Sequence, residues 1–141
     1  VDYIKLIQNR EETGDRSFLV QEYIPDAKDY RVMVIDGEYA GAVERRFRDE
    51  DVKGKKWKKN VHRDAIAVKK EMPELIKKMA EEVATLLKIR YVGIDILLNE
   101  DRVVINETNA RPTIDKEDKY LPDFYDKLSR LIKSVGNEEK R

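Results

Sequence analysis

Two hairpin signals constrain this chain more than any other feature. Tyr30 to Ile35 and Glu38 to Phe47 are runs rich in β-formers, joined by Asp36-Gly37. An Asp-Gly pair supplies the positive φ angles of a tight two-residue turn, so the first run must return as its own antiparallel neighbour. Tyr91 to Leu98 and Val103 to Glu107 flank Asn99-Glu100-Asp101-Arg102 and repeat the arrangement. Between the hairpins, Glu71 to Arg90 places Leu75, Ile76, Met79, Val83, Leu86 and Leu87 at helical spacing, with Pro73 in the first turn where its missing N–H costs nothing. Phe124, Leu128, Leu131, Ile132 and Val135 mark a closing helix, and residues 136–141 form a charged tail. Ahead of the first hairpin, Tyr3, Ile4, Leu6 and Ile7 fit a short helix, and Phe18 to Ile24 reads as a strand stopped by Pro25-Asp26. Strands and helices mixed in this way give an α+β fold, a mainly antiparallel sheet packed against helices.

At 141 residues the chain is sized for one core. Twenty-nine Lys and Arg balance twenty-nine Asp and Glu, which removes any overall attraction to nucleic acid or acidic membrane. Only the stretch from Arg45 to Arg63 is locally basic, with nine cations against three anions and the single Trp, Trp57. Nucleic acid is therefore an unfavoured partner. The absence of Cys excludes a disulfide framework, a thiolate zinc site and a cysteine nucleophile. With no apolar run near the roughly 18 residues of a spanning helix, the expected location is cytoplasmic, without a membrane partner. Lys and Glu enrichment suits a thermophile.

Chemistry concentrates on the second hairpin. Asp95 sits in the otherwise apolar Val92-Gly93-Ile94-Asp95-Ile96-Leu97-Leu98, where a carboxylate needs a positive partner. Glu107 and Asn109 lie two apart on the returning strand and so share a face. If Asp95 lies across from them, three hard oxygen donors converge, a set suited to Mg²⁺ shared with phosphates. From pattern alone the plainer reading is favoured, an Asp capped by backbone and a Glu at a sheet edge.

Gly93-Ile94-Asp95 followed by Val104-Ile105-Asn106-Glu107-Thr108-Asn109 resembles the metal-binding hairpin of the ATP-grasp carboxylate–amine ligases, particularly the RimK-like branch of ribosomal-protein glutamate ligases. Gln21-Glu22-Tyr23-Ile24 resembles that family's adenine-binding hinge strand, Asp29-Tyr30-Arg31 its D-x-R element, and Lys58-Lys59-Asn60-Val61-His62-Arg63 its basic, Asn-containing loop. The resemblance runs from about Leu19 to Ile132. It implies ATP and Mg as cofactors: Asp95, Glu107 and Asn109 on the metal, Gln21, Glu22, Tyr23 and Ile24 on adenine, and Asp29 on ribose. Lys58 and Asn60 would also hold the nucleotide, and Arg31, Lys58 and Arg63 would act on the phosphates or the acyl phosphate. Arg45 is a further candidate cation that reads equally as surface charge, and His62 reads as loop packing.

The implied activity is an amide bond made through an acyl phosphate, with amino-acid or peptide carboxylate and amine substrates. The implied organisation is residues 1–24 as the end of the small ATP-grasp subdomain with its hinge, 25–135 as the large subdomain, and 136–141 as the tail. The family's N-terminal part and phosphate-covering Gly-rich loop have no counterpart here, so that part of the fold is an expected partner and the isolated chain is expected to be inactive. A non-catalytic nucleotide-binding or regulatory module is the alternative. Asp64-Ala65 stand where related ligases often carry two glycines, and Arg111 follows Asn109 where the glutamate ligases have small residues; it is placed to clamp a substrate carboxylate or to salt-bridge a neighbouring loop.

Overall fold

The computed structural model describes residues 21–47, 65–100, 102–114 and 116–138. Five antiparallel strands, β1 (Lys28–Ile35), β2 (Glu38–Phe47), β3 (Ala65–Lys70), β4 (Tyr91–Leu98) and β5 (Val103–Asn109), form one sheet in the order β3-β2-β1-β4-β5. Helix α1 (Glu74–Leu87) covers one face, and a 3₁₀ turn (Glu117–Lys119) with helix α2 (Phe124–Glu138) packs on part of the other. The α+β expectation holds. Among the described residues no helix is long and apolar enough to cross a membrane.

The turns form for the reasons visible in the chain. Asp36 and Gly37 both take positive φ, 52° and 84°, as a tight β1–β2 turn demands. At the β4–β5 turn, the Asn99 side-chain oxygen accepts the Arg102 N–H at 2.8 Å. Residues 21–24, expected to end a strand, belong to no strand of the sheet; Pro25 follows, and Asp26 takes a positive φ of 55° that turns the chain into β1. The expected helix near residues 3–12 lies outside the described residues.

Strand alternation divides β1 and β4 cleanly. Tyr30, Val32, Val34, Val92, Ile94 and Ile96 face α1, with Ile76, Ala80 and Ala84 against them. Met33 and Ile35 face the other way, under Tyr120, Phe124 and Leu131. The buried line of α1 keeps Ile76, Met79 and Val83 of the expected face and drops the leucines: Leu75 and Leu86 are 72% and 81% exposed, and Ala80 and Ala84 are buried with Ile76 against the sheet. The small Ala80 and Ala84, one and two turns beyond Ile76, let the helix axis approach the strands closely, so the wider leucines fall outside that line. Accordingly, Ala80→Leu should cost about 1–3 kcal/mol through overpacking, whereas Leu86→Ala should change stability by less than about 0.5 kcal/mol in urea unfolding.

Three boundaries moved. The helix expected over Glu71–Arg90 starts at Glu74, with the Pro73 carbonyl accepting the Ile76 and Lys77 N–H groups, and ends where Lys88 turns left-handed. Strand β3 was not anticipated. Helix α2 runs to Glu138, past the expected start of the tail at residue 136.

Each hairpin also carries an irregularity. Ala40 is an extra residue of β2, between the pairs Met33↔Gly41 and Val34↔Tyr39. Its carbonyl accepts the Leu121 N–H at 3.1 Å, tying β2 to the segment before α2. Asn106 is extra in β5, between Ile96↔Ile105 and Asp95↔Glu107.

Candidate functional site

Beyond the edge of α2, the second face of the sheet carries charge instead of an apolar core. Registration sets Arg45 of β2 opposite Asp29 of β1, Arg31 of β1 opposite Asp95 of β4, and Asp95 opposite Glu107 of β5. Opposite charges therefore meet across β2, β1 and β4, and a second carboxylate faces Asp95 from β5.

Asp95 is the centre of this array and is fully buried. Arg31 donates to it twice, Nε to Oδ1 and Nη2 to Oδ2, each at 2.7 Å. Arg45 Nη2 lies 3.0 Å from Asp95 Oδ2 and donates to Asp29 Oδ1 at 2.6 Å. Burial alone would raise the Asp95 pKa, but the Arg31 hydrogen bonds and the two guanidinium charges outweigh it and hold the carboxyl below its ordinary value. Glu107 moves the other way. Its hydrogen bond to the Asp95 carboxylate, partial burial and the repulsion between the two charges lift its pKa.

Gly93 shapes the floor. A Cβ there would meet Pro112 Cβ at 2.9 Å and Arg31 Cδ at 3.3 Å, so the glycine lets both pack against β4. Pro112 is buried and its carbonyl accepts the Tyr91 hydroxyl at 3.4 Å. Asn109 pairs with Gly93, and its side-chain oxygen accepts the Arg111 N–H at 2.9 Å, fixing the corner on which Arg111 is exposed.

The anticipated residues are brought together in part. Asp29, Arg31, Asp95, Glu107 and Asn109 share one face. Of Gln21, Glu22, Tyr23 and Ile24, Ile24 is buried, and Glu22 is held by Arg102 beside the β4–β5 turn at 2.6 and 3.1 Å, a pairing that lowers its pKa. Lys58, Asn60 and Arg63, with Trp57 and His62, lie outside the described residues. Arg45, read equally as surface charge from the sequence, belongs to the buried array; its signal was its phase with Val43 on a half-covered strand. Pro112 was not singled out, although glycine inside an apolar strand points to some close neighbour.

The donors suit a hard divalent cation. Two adjoining carboxylates whose mutual repulsion makes it costly to keep both ionised, with an amide oxygen in phase, form the arrangement a cation relieves. Among the described residues no three His, Cys, Asp or Glu side chains group into a self-sufficient metal site. Any such ion would need further oxygens from a ligand or water.

Residues 3–132 match the RimK-like ATP-grasp domain model. The ribosomal protein bS6–L-glutamate ligase of Escherichia fergusonii is 33% identical over 124 residues, covering 86% of this chain and 40% of that protein. The tetrahydromethanopterin:alpha-L-glutamate ligase of Methanocaldococcus jannaschii is 31% identical over 101 residues, covering 69% of this chain and 33% of that protein. The chain thus spans well under half the length of these relatives. Among solved structures, the ATP-grasp ligase PsnB complexed with its minimal precursor superposes with a TM-score of 0.52 at 26% identity, over 66% of this chain and 28% of that one. The Bacillus anthracis D-alanine–D-alanine ligase complexed with ATP shares the fold, with a TM-score of 0.67 at 19% identity over 98% of this chain and 49% of that one. With the family model covering most of its length, the chain belongs to the RimK-like ATP-grasp family.

Proposed function

We propose that this chain forms the metal-bearing wall of an ATP-dependent carboxylate–amine ligase, in which ATP phosphorylates a carboxylate and an amine displaces the acyl phosphate to form an amide. The observation carrying this reading is the cross-strand pair Asp95–Glu107 with Asn109 in phase beside it. These three residues would hold Mg²⁺, which supplies charge neutralisation and a template for the phosphates. Arg31, fixed on Asp95, presents a cation at the same face, and Lys58 and Arg63 would add charge there. Asp29 has Oδ1 on Arg45, leaving Oδ2 for a ribose hydroxyl. Backbone groups of Gln21 to Ile24 would meet the adenine edge, and Lys58 and Asn60 the phosphates.

Residues 25–135 then act as the large subdomain and 1–24 as the hinge and end of the small one, with 136–141 as the tail. Because the matched stretches cover only 40% and 33% of those relatives, the full cleft would need the rest of the ATP-grasp fold. The substrates would be an amino-acid or peptide carboxylate and an amine. A cytoplasmic setting follows from the ATP requirement.

Calorimetric titration with Mg·ATP tests the reading. The chain should bind no tighter than about 1 mM, since charge contacts worth roughly 1.5–3 kcal/mol each are missing from the opposite wall. Release of ADP dependent on an amino acid should be undetectable from this chain alone. Glu107→Gln should weaken Mg·ATP binding about tenfold while shifting stability by less than about 1 kcal/mol, because its side chain is exposed. Unchanged Mg·ATP affinity in that variant would remove the metal assignment.

A further inference from the structure

Arg45 is bonded unevenly. Among the described residues its Nη2 alone serves both Asp29 and Asp95, while Nε is buried with no hydrogen-bond partner. A guanidinium offers a rigid fork of donors, and an unpaired buried donor costs free energy, so this side chain sits in an incompletely satisfied position. Arg31 contrasts with it. That residue holds both Asp95 oxygens at 2.7 Å and lies against the bare backbone of Gly93. Of the two arginines on Asp95, Arg45 has the weaker grip, a single contact at 3.0 Å.

Resting on the nucleotide reading above, we infer that Arg45 is a phosphoryl-binding residue held in reserve by Asp95: a divalent cation on the Asp95–Glu107 pair loosens the Arg45–Asp95 contact, and Arg45 then takes a phosphoryl oxygen through its unused Nε. The charges drive the exchange. A third positive group arriving at Asp95 repels the two guanidiniums already there, and the one bound through a single contact yields first. A phosphoryl group accepts two parallel N–H donors, which satisfies the orphaned Nε. Arg45 and the cation therefore compete for Asp95 while the site is free of phosphate and cooperate once phosphate is present. Linkage makes the effect reciprocal.

The inference is tested on the whole chain, uniformly ¹⁵N-labelled, following by NMR the arginine Nε–Hε signals and the backbone amides of Glu107 and Asn109. The titrants are Mg²⁺ alone, ATP in EDTA, Mg²⁺ with inorganic phosphate, and Mg·ATP. The Arg45 signal should move with Mg·ATP and stay near its starting position with ATP in EDTA. A matching shift with Mg²⁺ and inorganic phosphate identifies the bare phosphoryl group as sufficient, and its absence assigns the contact to the nucleotide; both support the exchange. Arg45→Gln adds a reading of opposite signs: Mg²⁺ alone should bind at least about threefold tighter, and Mg·ATP about tenfold weaker. A purely structural role would weaken both, and that result overturns the inference. So does an Arg45 signal that moves equally with ATP in EDTA, or one that stays still while Glu107 and Asn109 respond to Mg·ATP. Silence at Glu107, Asn109 and Arg45 together removes the nucleotide reading itself. If Arg45→Gln does not fold, the wild-type titration decides.

Discussion

Asp95→Ala is expected to destabilise the protein by about 3–5 kcal/mol, the loss typical when one member of a buried ion pair is removed. Both guanidiniums anchored on Asp95 would remain, each with little exposed side chain: 15% for Arg31 and 11% for Arg45. Arginine cannot shed its proton to escape the penalty. Asp29 still accepts from Arg45, so the cost falls mainly on Arg31, and the lower end of the range is the better figure. Urea unfolding followed by circular dichroism measures it. The facing carboxylate provides the control. Glu107→Gln removes a charge that has a raised pKa and lies at the exposed edge, so its stability effect should be several-fold smaller. Equal losses in the two variants would mean that Asp95 does not anchor the arginines.

Gly41→Ala is the second large effect. Gly41 has φ of +126°, a conformation that side-chain-bearing residues rarely adopt, and an added Cβ would lie 2.9 Å from Tyr120 Cα and 3.0 Å from Leu121 N. Both obstacles are backbone, so rotamer changes cannot relieve them. Strain and clash together should exceed about 3 kcal/mol and detach the segment that carries Tyr120 under the sheet. Gly37→Ala separates the two causes, because φ there is +84° with nothing within 4 Å of the added methyl. It should cost about 1 kcal/mol, from backbone conformation alone.

What could be read from the sequence was mostly local. Asp36-Gly37 named its turn because only a few residue types take those angles, and at the second hairpin Asn99 supplies a side-chain oxygen that accepts the Arg102 N–H. Strand β3 escaped because Ala65 and Ala67 have weak β preference and the strand is held by its pairing with β2. Ile76, Met79 and Val83 of α1 were legible, but Ala80 and Ala84 escaped because a hydrophobicity pattern gives weight to Leu75 and Leu86 instead. Asp95 announced that it needed a cation, yet nothing local says that Arg31 and Arg45 meet it. Those partners are 64 and 50 positions away in the chain and come from register. The carry-over from related ligases named Asp95, Glu107 and Asn109 as a set, and the backbone puts the three on one surface without testing their roles.

The extra residue in β5 has a consequence for how this hairpin can change. Val103 and Ile105 pair with Leu98 and Ile96 on the side covered by α1, whereas Glu107 pairs with Asp95 on the charged side, although all three are odd-numbered. Asn106 is where the strand changes phase. Its own side chain is exposed and makes no demand on identity, so substitutions there are inexpensive. Its presence as a unit of length is not optional: deleting one residue would return Glu107 and Asn109 to the apolar side while leaving every residue type in place. This stretch is tolerant to spelling and intolerant to counting, and an alignment of the hairpin in which Asn106 falls in a gap would assign the right letters to the wrong surface.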